Sequence, residues 1–315
     1  MLTLDQQLAQ AEATENMQSQ PQFQNREDLE IQGHRGARAV LPENSQAGFL
    51  YALMIGVDTI ELDMGVTSDG VVVVLHDQVI NTALCEHVGG APLEPNVLVH
   101  QVNLEFIKSI DCGNKPHPDF PLQRRVPATS IPTLDEVFAL IAAQPIPQAK
   151  TVLFNIETKS NPEKPEAQPA PEEFIRLVLD VVRKHKLENR VTIQSFDQRT
   201  LVEAYKQAPE VQRAALFREK PSDWLAAARA AHAHIVSPML ALIDQADVAV
   251  MQAEGLRVIP WTANIPAYWE HLIKLGVDGI ITDDPIALMA YVGRSPITDV
   301  DAEQMSERVI PSPIK

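Results

Sequence analysis

Short apolar runs alternate with amphipathic segments from Ile31 to Val292, which predicts an α/β fold with a mostly parallel sheet and helical crossovers. Nine runs read as strands, and a hairpin signal sets one aside as an arm, leaving the eight that a TIM-type (β/α)8 barrel uses. The length of 315 residues allows this, because such barrels routinely run to about 250 residues as one domain.

In order, the strand candidates are Ile31–Gly33, Asp58–Asp63, Val71–Leu75, Thr151–Ile156, Val191–Ser195, Arg213–Phe217, His234–Ser237, Arg257–Trp261 and Gly279–Thr282. Helices are predicted between them over Ser45–Ile55, Pro171–Lys186, Asp197–Gln207, Ser222–Ala231, Ile243–Ala253, Pro266–Leu275 and Pro285–Val292. The second of these has a start signal in Pro171 followed by Glu172 and Glu173. Asp69-Gly70 is a two-residue hairpin signal, so Val71–Leu75 is expected to fold back antiparallel on the strand carrying Glu61 and Asp63. With Ser68 paired to Val71 across the turn, Asp63 falls opposite His76, and Glu61 lies two residues away on the same face. A slip of one residue would break that convergence.

Residues 77–130 lack a regular strand or helix rhythm, Lys115–Pro132 is rich in proline, and the insertion is taken as about 78–127. We read a small insertion after the second strand and its hairpin, placed over the barrel mouth as a lid or subdomain. Residues 1–28 are expected to be a flexible polar leader, 29–292 a single barrel domain and 293–315 a polar tail or surface-docked extension. The leader is Gln-rich and has no basic n-region or apolar h-region, so it is not a signal peptide. Its length leans toward an exported or periplasmic chain whose signal has been removed, with a cytoplasmic chain as the alternative.

A hydrophobic fraction of 45% and a charged fraction of 22% allow a sizeable core. The net charge of -16 argues against a nucleic-acid partner, which needs basic stripes, and disfavours adhesion to anionic lipid. No apolar run reaches the roughly 20 residues of a membrane span, since Ala47–Ile60 is interrupted by Gly56 and Asp58, so no stable membrane insertion is expected. Cys85 and Cys112 make neither a metal knuckle nor a disulfide framework and allow one optional bridge.

Candidate chemistry gathers near the strand ends. Glu61 and Asp63, at i and i+2, point to one side of a strand, where burial would push one pKa up and a divalent cation would remove the conflict. Glu157 and Lys159 repeat the spacing on another strand, offering a third oxygen ligand and a cation for a phosphate oxygen. His34 and His76 supply the two proton carriers that displacement at a phosphodiester needs, with Arg35 beside the first. Each residue alone also reads as an ordinary surface or core position; their order along the chain carries the inference.

Gly33-His34-Arg35-Gly36, Pro42-Glu43-Asn44-Ser45, Glu61-Leu62-Asp63, Asp69-Gly70 and Leu75-His76-Asp77 together resemble the signature of the glycerophosphodiester phosphodiesterase family. Ile131-Pro132-Thr133-Leu134, Ile156-Glu157-Thr158-Lys159, Ser195-Phe196 and Trp261-Thr262 continue the resemblance, which runs from about Ile31 to Met289. It implies a TIM-barrel hydrolase that splits a small-molecule glycerophosphodiester into sn-glycerol 3-phosphate and an alcohol, using one divalent cation, Ca or Mg. By matching positions, Glu61, Asp63 and Glu157 would take the metal, and His34 and His76 would act as general acid and base. Arg35 and Lys159 would neutralise phosphoryl oxygens, Glu43 would orient Arg35, and Phe196 and Trp261 would line the substrate end of the pocket. The attacking oxygen is either water or the neighbouring glycerol hydroxyl of the substrate.

Ser45, Met64 and Ala263 depart from residues common in the family without removing a chemical group. Two rivals remain. One is a related barrel acting as a lysophospholipase D or sphingomyelinase D, favoured by an apolar lid groove, yet Phe106 and Phe120 are the only aromatics in the insertion. The other is a non-catalytic phosphodiester-binding module, which predicts loss of a histidine or carboxylate that this chain retains.

Overall fold

The computed structural model describes residues 28–298, so nearly all of the expected leader and most of the expected tail lie outside the described residues. The strands in chain order are β1 (Glu30–Gly33), β2 (Thr59–Val66), β3 (Val72–Val74), β4 (Glu86–His87), β5 (Ile110–Asp111), β6 (Leu153–Thr158), β7 (Val191–Ser195), β8 (Gln212–Phe217), β9 (Ile235–Pro238), β10 (Arg257–Val258) and β11 (Gly279–Thr282). Eight of them are parallel and run β1, β2, β6, β7, β8, β9, β10, with β11 returning to pair with β1. The barrel is nearly closed. Across the last gap Asp278 N donates to Val258 O and Ile281 N to Pro260 O, and Pro260 has no N–H to add to the ladder.

Ile60, Leu62 and Met64 are fully buried and belong to the main apolar core, with Phe49, Phe138 and Phe154. Alternation sends Glu61 and Asp63 to the opposite side of β2. The barrel interior holds a polar layer. Asn155 Nδ2 donates to Gln32 Oε1 at 2.8 Å and to Gln194 Oε1 at 2.9 Å. Since β2 separates β1 from β6, the first of these bonds must cross the interior.

Helix α1 (Gln46–Ile55) starts at Ser45, whose hydroxyl accepts from Gly48 N, and stops at Gly56, where φ is +92°. All seven predicted helices form, within two residues at each end. One further barrel helix, Leu134–Ala142, was not predicted. Thr133 and Glu136 form a capping box there, and Leu134, Val137, Phe138 and Ile141 are buried, so the Thr-x-x-Glu signal and the spacing were both legible.

β3 pairs antiparallel with β2 as expected, but the register differs by one residue. Met64 faces Val74 and Val66 faces Val72, so Leu75, not His76, comes level with Asp63 and donates its N–H to Asp63 O at 3.0 Å. The turn holds three residues, Ser68 to Gly70. Thr67 N donates to Val71 O, Gly70 sits at φ +78°, and Thr67 Oγ1 bonds Asp69, which favours the longer loop with glycine in the left-handed position.

The insertion is more ordered than its sequence rhythm suggested. β4 and β5 form a two-stranded antiparallel pair, a five-residue helix spans Leu104–Lys108 between them, and Cys85 and Cys112 form a disulfide. Ile80, Val99, Ile107, Ile110 and Ile131 make a second apolar core with Val73 of the arm. Two-residue strands are too short to show a period, which is why the pattern was missed. At the other end of the chain, Arg294 bonds Asp58 and Ile297 N donates to Ile55 O, docking residues 294–297 beside the end of α1.

The bridge closes a loop across a separation of 27 residues. Replacing both cysteines by serine is expected to cost about 2–4 kcal/mol, read as a lowered urea midpoint. An unchanged midpoint would mean that the second apolar core holds the insertion unaided.

Candidate active site

β2 and β6 run in register with Asp63 level with Glu157 and Glu61 level with Asn155, so three acidic side chains meet at the C-terminal ends of two adjacent strands. Glu61, Asp63 and Glu157 are buried, and one oxygen from each lies within 4.8 Å of the others. Barrel strands end in this way at the face where such folds carry their chemistry.

The loop after β1 holds two of these carboxylates. Arg35 N donates to Glu61 Oε2 at 2.8 Å, and Asn44 Nδ2 donates to Asp63 Oδ2 at 2.8 Å while Asp63 N donates back to Asn44 Oδ1. To make these contacts Arg35 and Asn44 adopt left-handed backbone, at φ 51° and 52°. Gly36, at φ +91°, lies so close to α1 that a Cβ would sit 2.9 Å from the Gly48 carbonyl carbon. From inside the barrel Gln194 Nε2 reaches Glu61 Oε1 at 3.4 Å.

Charge around the cluster is uneven. Burial, with Asp63 and Glu157 alongside, pushes the Glu61 carboxyl well above its ordinary range. Burial opposes the charge on Asp63 as well, but Lys159, His76 and Arg35 outweigh it and hold that carboxyl far below the usual range. Lys159 Nζ lies 2.7 Å from Glu157 Oε1 and 2.9 Å from Asp63 Oδ1. An all-oxygen set of three buried carboxylates whose oxygens lie this close together fits a hard divalent cation such as Ca or Mg.

Both histidines have Nδ1 on a carboxylate. His34 Nδ1 lies 2.5 Å from Asp283 Oδ1, and Asp283 is held by Asn264, whose Nδ2 donates to its Oδ2 and whose Oδ1 accepts from its N–H. His76 Nδ1 lies 2.6 Å from Asp77 Oδ1. A carboxylate accepts, so the proton is assigned to Nδ1 and Nε2 is left for the site; His34 Nε2 is 4.0 Å from Glu61. Burial disfavours charge on Asp283, but His34 keeps its carboxyl low. His76 reaches the site despite the shifted hairpin register, because the ladder ends at Val74 and leaves His76 beyond it.

His34, Arg35, Glu61, His76, Glu157 and Lys159 line one cavity of about 300 Å³, and Phe196 and Trp261 form part of its wall with their rings edge to face at 5.4 Å. A groove of about 930 Å³ adjoins it along His76, Lys159, Phe196 and Arg218. Glu43 Oε1 accepts from Arg35 Nη1 at 2.7 Å, as expected of a residue orienting Arg35.

Lys159 and Arg35, read as phosphate contacts, line the cavity and also meet carboxylates, Arg35 through Glu43 and Asp63 and Lys159 through Asp63 and Glu157. Buried negative charge draws the nearest cations first. Asp283, Asn264 and Gln194 were not singled out from sequence, nor was a role for Asn44. Asp283 follows the last strand, and a carboxylate at that end of a barrel strand was the available signal.

Residues 34–287 match the model of the glycerophosphoryl diester phosphodiesterase family. A glycerophosphodiester phosphodiesterase of Caldanaerobacter subterraneus is 34% identical over 260 residues, covering 82% of this chain and 96% of its own length. A crystal structure assigned as a glycerophosphoryl diester phosphodiesterase from Silicibacter pomeroyi superposes with a TM-score of 0.79 at 29% identity, covering 86% of this chain and 96% of its own. An Oleispira antarctica phosphodiesterase in complex with the product sn-glycerol-3-phosphate shares the fold, with a TM-score of 0.70 at 22% identity and coverage of 88% and 100%.

Glu43 and Asp283 are held below the ordinary carboxylate range, Glu43 by hydrogen bonding to His117 and the charges of Arg35 and Arg38 acting against burial. A depressed folded pKa stabilises above the unfolded value, so this contribution is expected to be lost from about pH 4 downward. The urea midpoint of Glu43→Gln should therefore fall less steeply with acid than that of the wild type. Parallel profiles would refute the assignment.

Proposed function

The chain belongs to the glycerophosphoryl diester phosphodiesterase family, and from that premise we propose a metal-dependent hydrolase that splits glycerophosphodiesters into sn-glycerol 3-phosphate and an alcohol. The observation that carries this reading is the meeting of His34 and His76 with Glu61, Glu157 and Lys159 around one cavity, Asp63 lying among the carboxylates.

A divalent cation held by Glu61, Asp63 and Glu157 would supply positive charge to the phosphoryl oxygens and the attacking oxygen. His34 and His76 divide the proton transfers: one Nε2 takes the proton of the attacking oxygen, and the other ring donates to the leaving alkoxide. Asp283 and Asp77 keep the rings oriented and stabilise the imidazolium that forms. Lys159 and Arg35 add positive charge at the edge of the carboxylate cluster, and Phe196 and Trp261 give the substrate an apolar wall. The Cys85–Cys112 bridge supports the exported or periplasmic reading, since disulfides persist in oxidising compartments.

The test is release of sn-glycerol 3-phosphate from glycerophosphocholine and glycerophosphoethanolamine, with and without chelator, beside lysophosphatidylcholine. Turnover of the first two, lost in chelator and restored by Ca or Mg, is expected; undiminished turnover in chelator would remove the metal, and preference for the lysolipid would favour the lysophospholipase D reading. His34→Ala and His76→Ala are each expected to lower kcat by at least roughly 100-fold. Asp283→Asn should lower it by at least about 10-fold and shift the pH profile, because the Asn264 donor holds the amide oxygen on its own side and leaves an NH2 facing His34 Nδ1. Near-normal kcat in any of the three would take that residue out of the mechanism.

A further inference from the structure

Arg35 lines the cavity and is tied to the carboxylates, meeting Glu43 through Nη1 and lying 3.4 Å from Asp63 through Nε. Arg38, three residues on, is placed differently. Its Nε donates to Glu43 Oε2 at 2.6 Å, and its guanidinium lies over the Phe120 ring at 4.9 Å. Neither Nη group hydrogen-bonds to a described residue, and the side chain, 18% exposed, lines the same cavity as His34, His76 and Lys159. A guanidinium fixed at Nε by a carboxylate and across its face by an aromatic ring presents a preorganised fork, the geometry that matches two oxygens of a phosphoryl group.

The insertion sets this fork. His117 Nδ1 accepts from Asp119 N, so its Nε2 carries the proton and is shared with Glu43 Oε2 at 3.3 Å, the oxygen that also holds Arg38. The His117 ring stands edge-on to Phe120, with centroids 4.9 Å apart. Glu43 thus serves one arginine with each oxygen, Arg35 through Oε1 and Arg38 through Oε2.

We infer that Arg38 is a further substrate-binding residue, its two Nη groups taking non-bridging oxygens of the phosphoryl group, and that Phe120 of the insertion is a positioning residue for it. This rests on the proposed phosphodiesterase reading. The lid segment then contributes to phosphate recognition through an arginine it does not itself contain.

Calorimetric titration with sn-glycerol 3-phosphate, in the presence of Mg, is the direct test, paired with steady-state kinetics on a glycerophosphodiester. Arg38→Gln is expected to weaken product binding by about 10- to 100-fold and raise KM more than it lowers kcat. Phe120→Leu keeps the apolar volume and removes the ring; it should move KM in the same direction by a smaller factor with an unchanged melting temperature. Arg38→Gln with product affinity within about 2-fold of an active wild type would overturn the inference and leave the phosphodiesterase reading standing. A wild type that neither hydrolyses glycerophosphodiesters nor binds the product would overturn that reading itself.

Discussion

Three carboxylates buried within 4.8 Å of one another cannot all keep their charge in a low-dielectric barrel mouth without cations beside them. Much of the C-terminal face answers that constraint. Lys159 spans Asp63 and Glu157, Arg35 lies against Asp63 and gives its N–H to Glu61, and Asn44 clamps Asp63 from two sides. What remains unbalanced is Glu61, whose carboxyl is driven up by burial and its acidic neighbours. A hard cation would resolve that imbalance.

The loop between β1 and α1 bears the cost in backbone strain. Arg35 and Asn44 sit in left-handed conformations that non-glycine residues seldom adopt, and Gly36 packs against α1 where a side chain would collide. In return a few residues deliver His34, Arg35, Arg38, Glu43 and Asn44 to one place. The insertion reaches the same loop through His117, which bonds Glu43, and through Phe120, which packs on His117 and Arg38.

The barrel itself was legible because its strands are short apolar runs with local periodicity, and each of the nine predicted runs became a strand. The helix over Leu134–Ala142 escaped although its capping box was present, and the strand pair of the insertion escaped because two-residue strands carry no period. In the site, the carboxylates and histidines stood at strand ends and could be read by position. Asp283 could not be tied to His34, since 249 residues separate them and only closure of the barrel through β11 brings them to 2.5 Å.

By itself the sequence determined the alternation of strands and helices, the three strand-end carboxylates and the order of motifs that points to phosphodiester chemistry. These follow from local periodicity and from side-chain identity. Tertiary structure alone decided the pairings. Thr67 and Gly70 chose a three-residue turn over a two-residue one, which moved Leu75 opposite Asp63 and left His76 beyond the ladder. Burial then set Lys159 and Arg35 against carboxylates and left Arg38, held at Nε by Glu43, lining the same cavity. Which charge meets which depends on distances set by the closed barrel, and no local pattern encodes them.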